Sequence, residues 1–205
     1  MAPGESAPEK TAPQPLYLVQ RFVNSIDLEN GEDELLDPAA LRDWLAERGL
    51  MAAGEPVGAA DLRRAVDVRE GLRAVLMANN GMTPDAEKLD RLEAAARRAG
   101  LRLRFAGDVD PRLEPQGEGV DGALARLLAI VAASVENGQW ERLKACPRDP
   151  CFWAFYDRSK NRSGRWCRME ECGNIEKARA FRERKRAASR YGPSGRRADP
   201  RNDGL

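Results

Sequence analysis

The 205-residue sequence has no histidine, which removes the commonest general base from the chemistry open to it. It has no glycine-rich phosphate loop and no nucleophile motif either. Pairs of carboxylates are plentiful, but a chain with 33% charged residues produces them by chance. An enzyme is therefore the class these residues support least. No run of about 18 apolar residues appears, so no membrane-spanning helix is expected. The opening MAPGESAPEKTAPQP has neither the basic region nor the apolar stretch of a secretory signal, and a soluble, cytoplasmic protein is the expectation. Cysteine is missing from the first 145 residues.

All four cysteines fall in one short stretch, as Cys146, Cys151, Cys167 and Cys172. Disulfides seldom persist in a reducing cytosol, so this cluster reads as metal ligands before it reads as two bridges. The spacing is Cys-x4-Cys, fifteen residues, then Cys-x4-Cys. Tetrahedral zinc takes four thiolates at about 2.3 Å, and two close pairs let two turns of backbone converge on one ion. Pro147, Asp149 and Pro150 are turn residues that fold the first pair into a knuckle. CFWAFYD and RWCRM are expected as strands around the polar loop RSKNRSG, and the second cysteine pair leads into a helix. The order of knuckle, hairpin and helix is treble-clef-like. Four separately buried thiols and a redox-labile zinc switch are the alternatives to structural zinc, whereas a catalytic ion needs an open position that four protein ligands do not leave. A module of about 50 residues rarely draws more than about 3–5 kcal/mol from its own core, while structural zinc supplies an apparent ~10–16 kcal/mol. Metal is therefore expected to decide whether this part folds, with Trp153, Phe155, Trp166 and Phe181 packed around the site.

Charge divides the chain in a way the near-neutral total conceals. Residues 1–138 hold 16 Lys+Arg against 24 Asp+Glu, a net −8, and residues 139–205 hold 18 against 9, a net +9, which together return the +1 of the whole chain. A basic C-terminal part points to a polyanionic partner.

The expected fold is mainly α, with a short β hairpin in a helical N-terminal domain and a small α+β zinc module after it. Residues 1–15, rich in proline, are expected to be disordered, as is the tail 191–205. LYLVQRFVNSID is apolar enough to be buried and is read as a helix. Asp37 and Pro38 open a second helix with Ala40, Leu41, Trp44 and Leu45 inward, ended by Gly49. A third spans 59–79 with Leu62, Val66, Leu72, Val75 and Leu76 inward, and carries Gly71 at a cost of about 1 kcal/mol. Thr83-Pro84 opens a fourth, with Leu89, Leu92 and Ala96 inward and Gly100 as its stop. LRLRF, 101–105, alternates as a half-buried strand does and pairs with RLEP. After a glycine- and proline-rich stretch, a helix over 120–136, apolar nearly all round, is expected at the centre of the core. Gly138 marks the boundary between a domain over 16–138 and a zinc module over 139–190.

Cys-x4-Cys followed by tryptophan, an FYD hairpin, RWC-x-M-x-x-CGN and then KARAFRERKR resembles the CGNR zinc finger of bacterial stress-induced transcription regulators. The match covers about Leu143 to Arg186. In that family the finger follows a largely helical N-terminal domain, the ABATE domain, to which RFVNSID (21–27) and the helical order are similar. The resemblance implies one structural zinc ion at Cys146, Cys151, Cys167 and Cys172, and DNA binding by the finger. The motif's arginine is replaced here by Ile175.

Asn174 is read as the cap of a helix over 175–190. There Ile175, Ala178 and Phe181 share a face expected to pack on the finger, and Arg179, Arg182, Arg186 and Arg190 share another. The hairpin loop adds Arg158, Lys160, Arg162 and Arg165. Guanidinium groups grip phosphate in forked pairs of hydrogen bonds, so these eight residues are the candidate nucleic-acid contacts. Even after a tetrathiolate zinc centre lowers the charge by two, about +7 is left. The expected function is DNA-binding transcription regulation, with the N-terminal domain sensing an unidentified small-molecule effector or forming a homodimer. The alternatives are RNA binding, or a zinc-stabilised module whose basic helix meets an acidic protein partner.

Overall fold

A computed structural model describes residues 10–105 and 111–190, the side chains of 188–190 excepted. The chain forms two compact units divided between Cys167 and Arg168. The expected disorder of 1–9 and 191–205 lies outside the described residues. Residues 10–15 are ordered: Ala12 is buried and its N–H donates to Gln20 Oε1 at 2.8 Å.

Among the described residues five α-helices build the first unit, α1 (Leu16–Val23), α2 (Pro38–Glu47), α3 (Ala59–Asn79), α4 (Ala86–Ala99) and α5 (Gly119–Glu136). Their ends follow local chemistry. Asp37 accepts from the Ala40 N–H at 2.8 Å with Pro38 in the first turn, Asp85 caps α4 through the N–H groups of Glu87 and Lys88, and Gly100 stops it at φ 65°. Phe22, Leu41, Leu45, Leu72, Leu76, Leu124 and Leu127 are fully buried together. Each such side chain contributes about 1.5–3 kcal/mol. Phe22 meets Trp44 edge-on, with ring centroids 5.5 Å apart. α5 is central only in its first half, since Val135 is 56% exposed.

Gly71 has a tertiary explanation beyond its helix propensity. A Cβ there meets Leu92 Cβ at 2.5 Å and the Lys88 carbonyl at 3.0 Å, so the missing side chain is what lets α3 and α4 cross closely. Gly71→Ala is expected to lower stability by about 1–3 kcal/mol in urea titrations, although alanine is the better helix former.

Three antiparallel pairs complete this unit. β1 (Ile26–Asp27) pairs with β2 (Glu32–Asp33), a hairpin too short for its sequence to reveal. β3 (Leu101–Phe105) pairs with β4 (Pro111–Pro115), Leu103 opposite Leu113, as the alternation of LRLRF requires. β5 (Leu143–Ala145) pairs with β6 (Ala154–Tyr156). The expected partnership of CFWAFYD with RWCRM is thus corrected: the strand beside β6 precedes the first cysteine, and 165–169 form no strand. The physical reason is packing, because Leu143, Ala145, Ala154 and Tyr156 belong to the core that the helices build. This hairpin is therefore no isolated mini-domain whose only support is metal.

In the second unit a widened turn, Met169–Gly173, runs directly into α6 (Asn174–Arg190). Asn174 is already helical and its side chain donates to the Glu170 carbonyl at 3.0 Å, so it is not the expected N-cap acceptor. The expected packing of the apolar face of α6 is also corrected, since Ile175 is 48% and Phe181 62% exposed. Among the described residues no helix is long and apolar enough to cross a membrane.

Candidate metal centre and basic residues

Cys146 follows β5 directly, and its N–H donates to the Trp153 carbonyl at 2.9 Å, closing the knuckle that carries Cys151. Phe152, next in the chain, takes a left-handed φ of 45° and donates to the Arg148 carbonyl. Arg148 is itself buried and paired with Glu29.

The helices hold the backbone on either side of this knuckle. Asn24, just after α1, exchanges two hydrogen bonds with Ala154, accepting from its N–H at 2.7 Å and donating to its carbonyl at 2.9 Å, and Gln20 donates to the same carbonyl at 3.1 Å. Arg73 donates to the carbonyls of Phe152, at 3.1 Å, and Val23, at 2.6 Å. Asn79 donates to Trp140 and Leu143, and Asn80 donates to Ala145 and Arg165, each at 2.8–3.0 Å. Burial lowers the pKa of Arg73 while Glu70, 3.1 Å away, raises it; burial pushes Glu70 up, yet Arg73 and Arg69 hold it below the usual carboxylate range.

The loop between β6 and Cys167 closes on a second buried network. The Lys144 ammonium donates to Asp157 at 2.8 Å and to the carbonyls of Arg162 and Gly164. Burial pushes Asp157 up, but hydrogen bonds from Lys144 and Ser159 win and hold it down at about 2. Gly164 leaves no room for a side chain: a Cβ there stands 2.6 Å from Asp157 Oδ1.

These supports hold the backbone around Cys146, Cys151 and Cys167. All four cysteines are buried and their Sγ atoms all lie within 4.8 Å of one another, with Cys151 and Cys167 at 3.6 Å. A disulfide needs about 2.05 Å, so this is not a bridge. A tetrahedron of sulfurs about 2.3 Å from zinc has edges of about 3.8 Å, which the spacing fits. The donor chemistry agrees. Hydrogen bonds from the Cys151 and Cys167 thiols hold Cys146 down at about 4, and the same bonds push Cys151 and Cys167 up. A thiolate is easy to form at Cys146 and hard to form at Cys151 and Cys167, and thiolates this close together repel one another unless a cation lies among them.

The sequence comparison decides the family. The "Putative stress-induced transcription regulator" profile, ABATE, matches residues 17–136, and the CGNR zinc finger profile matches 142–185. The chain belongs to the ABATE family. No curated protein matches it. The four buried, clustered cysteines of this ABATE protein lie in its CGNR zinc finger, and the set suits one zinc ion.

The eight candidate basic residues fall into two groups. Arg158 donates to the Thr11 carbonyl, Arg162 pairs with Glu141, and Arg165 stands over the Trp166 ring at 5.9 Å, while Lys160 is exposed. On α6, Arg179 lies between Glu176, at 3.9 Å, and Glu183, at 3.3 Å; Arg182 and Arg186 are exposed, and Arg190 ends the helix. Among the described residues Arg182 and Arg186 make no ion pair. Sequence reading missed Asn24, Arg73, Asn79 and Asn80. For Arg73 the signal was position, since it continues the buried Ala65, Val68, Leu72 and Leu76 stripe of α3 at helical spacing.

Proposed function

We propose that this ABATE protein is a bacterial, cytoplasmic DNA-binding transcription regulator, not an enzyme, with Cys146, Cys151, Cys167 and Cys172 as the ligands of one structural zinc ion. Bound zinc supplies fixed geometry and countercharge for the thiolates, and no chemistry beyond that. The membership in a family of transcription regulators supports the reading, and one observation carries the choice of DNA: among the described residues, the exposed helix α6 offers Arg182 and Arg186 with no carboxylate paired to them. Uncommitted guanidiniums are what a phosphate backbone neutralises, whereas Arg162 and Arg179 first have to leave a glutamate. In this reading a helical domain over 16–138 senses an effector or dimerises and a finger spans 139–190; the two profile matches, over 17–136 and 142–185, fall within these bounds.

Titration of zinc-loaded protein against a DNA fragment at several salt concentrations tests this. Affinity is expected to fall with a logarithmic slope of about −0.9 per neutralised phosphate. Replacing Arg182 and Arg186 by alanine is expected to weaken binding alike on all sequences and to flatten that slope by about 2. No binding at about 50 mM salt, where phosphate contacts are strongest, overturns the reading in favour of an acidic protein partner.

A further inference from the structure

The β3–β4 hairpin takes no part in the metal centre and meets the core at its base, where Leu101 packs against it, and β3 is its open side. Prolines at 111 and 115 have no N–H to donate, which places them at the positions of β4 that do not bond across the pair. The Gln116 N–H donating to the Gly100 carbonyl at 3.1 Å fixes the same phase: even-numbered residues of β3 bond to β4. The N–H and C=O groups of Leu101, Leu103 and Phe105 consequently point away from β4, and among the described residues no strand pairs with them. The outer edge of β4 is different, because its two prolines blunt it.

The side chains of the hairpin sort by face. Leu103, Phe105 and Leu113 share one face and are 55%, 71% and 40% exposed. Arg102, Arg104 and Arg112 share the other, where, among the described residues, Arg104 reaches Glu114 at 3.2 Å and Arg102 reaches it at 4.0 Å. An exposed strand with a free ladder edge, one apolar face and one face of three guanidiniums is an acceptor for another strand.

We propose that β3 binds an extended segment of a partner protein in which acidic and apolar residues alternate, adding it as a third strand. The acidic side chains then lie beside Arg102 and Arg104, and the apolar ones extend the Leu103 and Phe105 face as cross-strand pairs. A second copy of this chain is the poorer occupant. Antiparallel pairing of β3 with itself about Leu103 sets Arg102 against Arg104 of the copy twice over, and like charges directly opposite are unfavourable.

The probe is a fluorescent peptide of alternating glutamate and valine, titrated by anisotropy into the full zinc-loaded chain. Controls are a peptide of the same composition with its glutamates and valines in separate blocks, and an alternating lysine–valine peptide. The alternating acidic peptide is expected to bind more tightly than either. Leu103→Pro deletes an outward N–H without touching the β3–β4 ladder and is expected to cost about tenfold in affinity. The Arg102→Glu/Arg104→Glu pair is expected to move the preference to the lysine–valine peptide, a gain that misfolding does not produce and that decides the matter if Leu103→Pro fails to fold. Arg182→Ala/Arg186→Ala is expected to leave peptide binding unchanged, which separates this site from the DNA reading. Equal binding of the blocked peptide, binding indifferent to Leu103→Pro in folded protein, or no binding overturns the proposal. A concentration-dependent doubling of mass that Leu103→Pro abolishes overturns it in favour of the second copy.

Discussion

Cys172→Ser is expected to strip the ion from the protein: metal analysis falls from one zinc per chain to a small fraction of that after dialysis. Four thiolates share an apparent binding free energy of roughly 10–16 kcal/mol, so losing one weakens retention by on the order of 10²–10³-fold. Acid has the same effect on the unaltered protein. Each ligand is a thiolate, protons compete for it, and zinc held at neutral pH is released as pH falls. Loss of the ion has a narrower structural effect here than in a free-standing finger. Leu143–Ala145 and Ala154–Tyr156 are tied to the helical core by Asn79, Asn80, Asn24 and Gln20. Amide exchange is therefore expected to stay slow in β5 and β6 of the metal-free protein and to become fast in 146–151 and 167–173. Reduced, native protein containing no metal rejects the zinc assignment, and collapse of β5 and β6 together with the knuckle rejects the account of what supports them.

Arg73→Met is expected to cost about 3–5 kcal/mol in urea titrations. Arg73 is buried, pairs with Glu70 at 3.1 Å and donates to two carbonyls, Val23 and Phe152. The substitution takes one of two guanidiniums from Glu70, which Arg69 still holds at 3.1 Å, and each orphaned acceptor adds about 1–3 kcal/mol. Against a usual total of about 5–15 kcal/mol the protein is left marginal. Arg73→Lys keeps the charge but not the fork and is expected to fall between the two. Because Phe152 follows Cys151, both variants are also expected to lose zinc to a chelator faster. A loss below about 1 kcal/mol for Arg73→Met shows that the helical core does not need this anchor.

The features legible in the sequence are those decided within a few residues of chain. Asp37 with Pro38 starts a helix, Gly100 stops one, LRLRF alternates as a strand, and two Cys-x4-Cys pairs imply one ion, since capping, side-chain period and ligand spacing act over one or two turns. Even here short-range cues misled where they competed: RWCRM has strand-forming residues but forms no strand, and Asn174 has a capping residue's chemistry but lies inside the helix.

By itself, then, the sequence determined a mainly helical chain, a tetrathiolate cluster and a basic C-terminal segment. Only the tertiary structure decided that the strands next to the first cysteine pair belong to the helical core, and that Asn24, Arg73 and Asn80 are structural anchors. Their partners lie 130, 79 and 65 residues away, at Ala154, Phe152 and Ala145. A polar side chain is stable in an apolar interior only where a matching donor or acceptor meets it, and no local pattern reveals a partner that folding alone brings near.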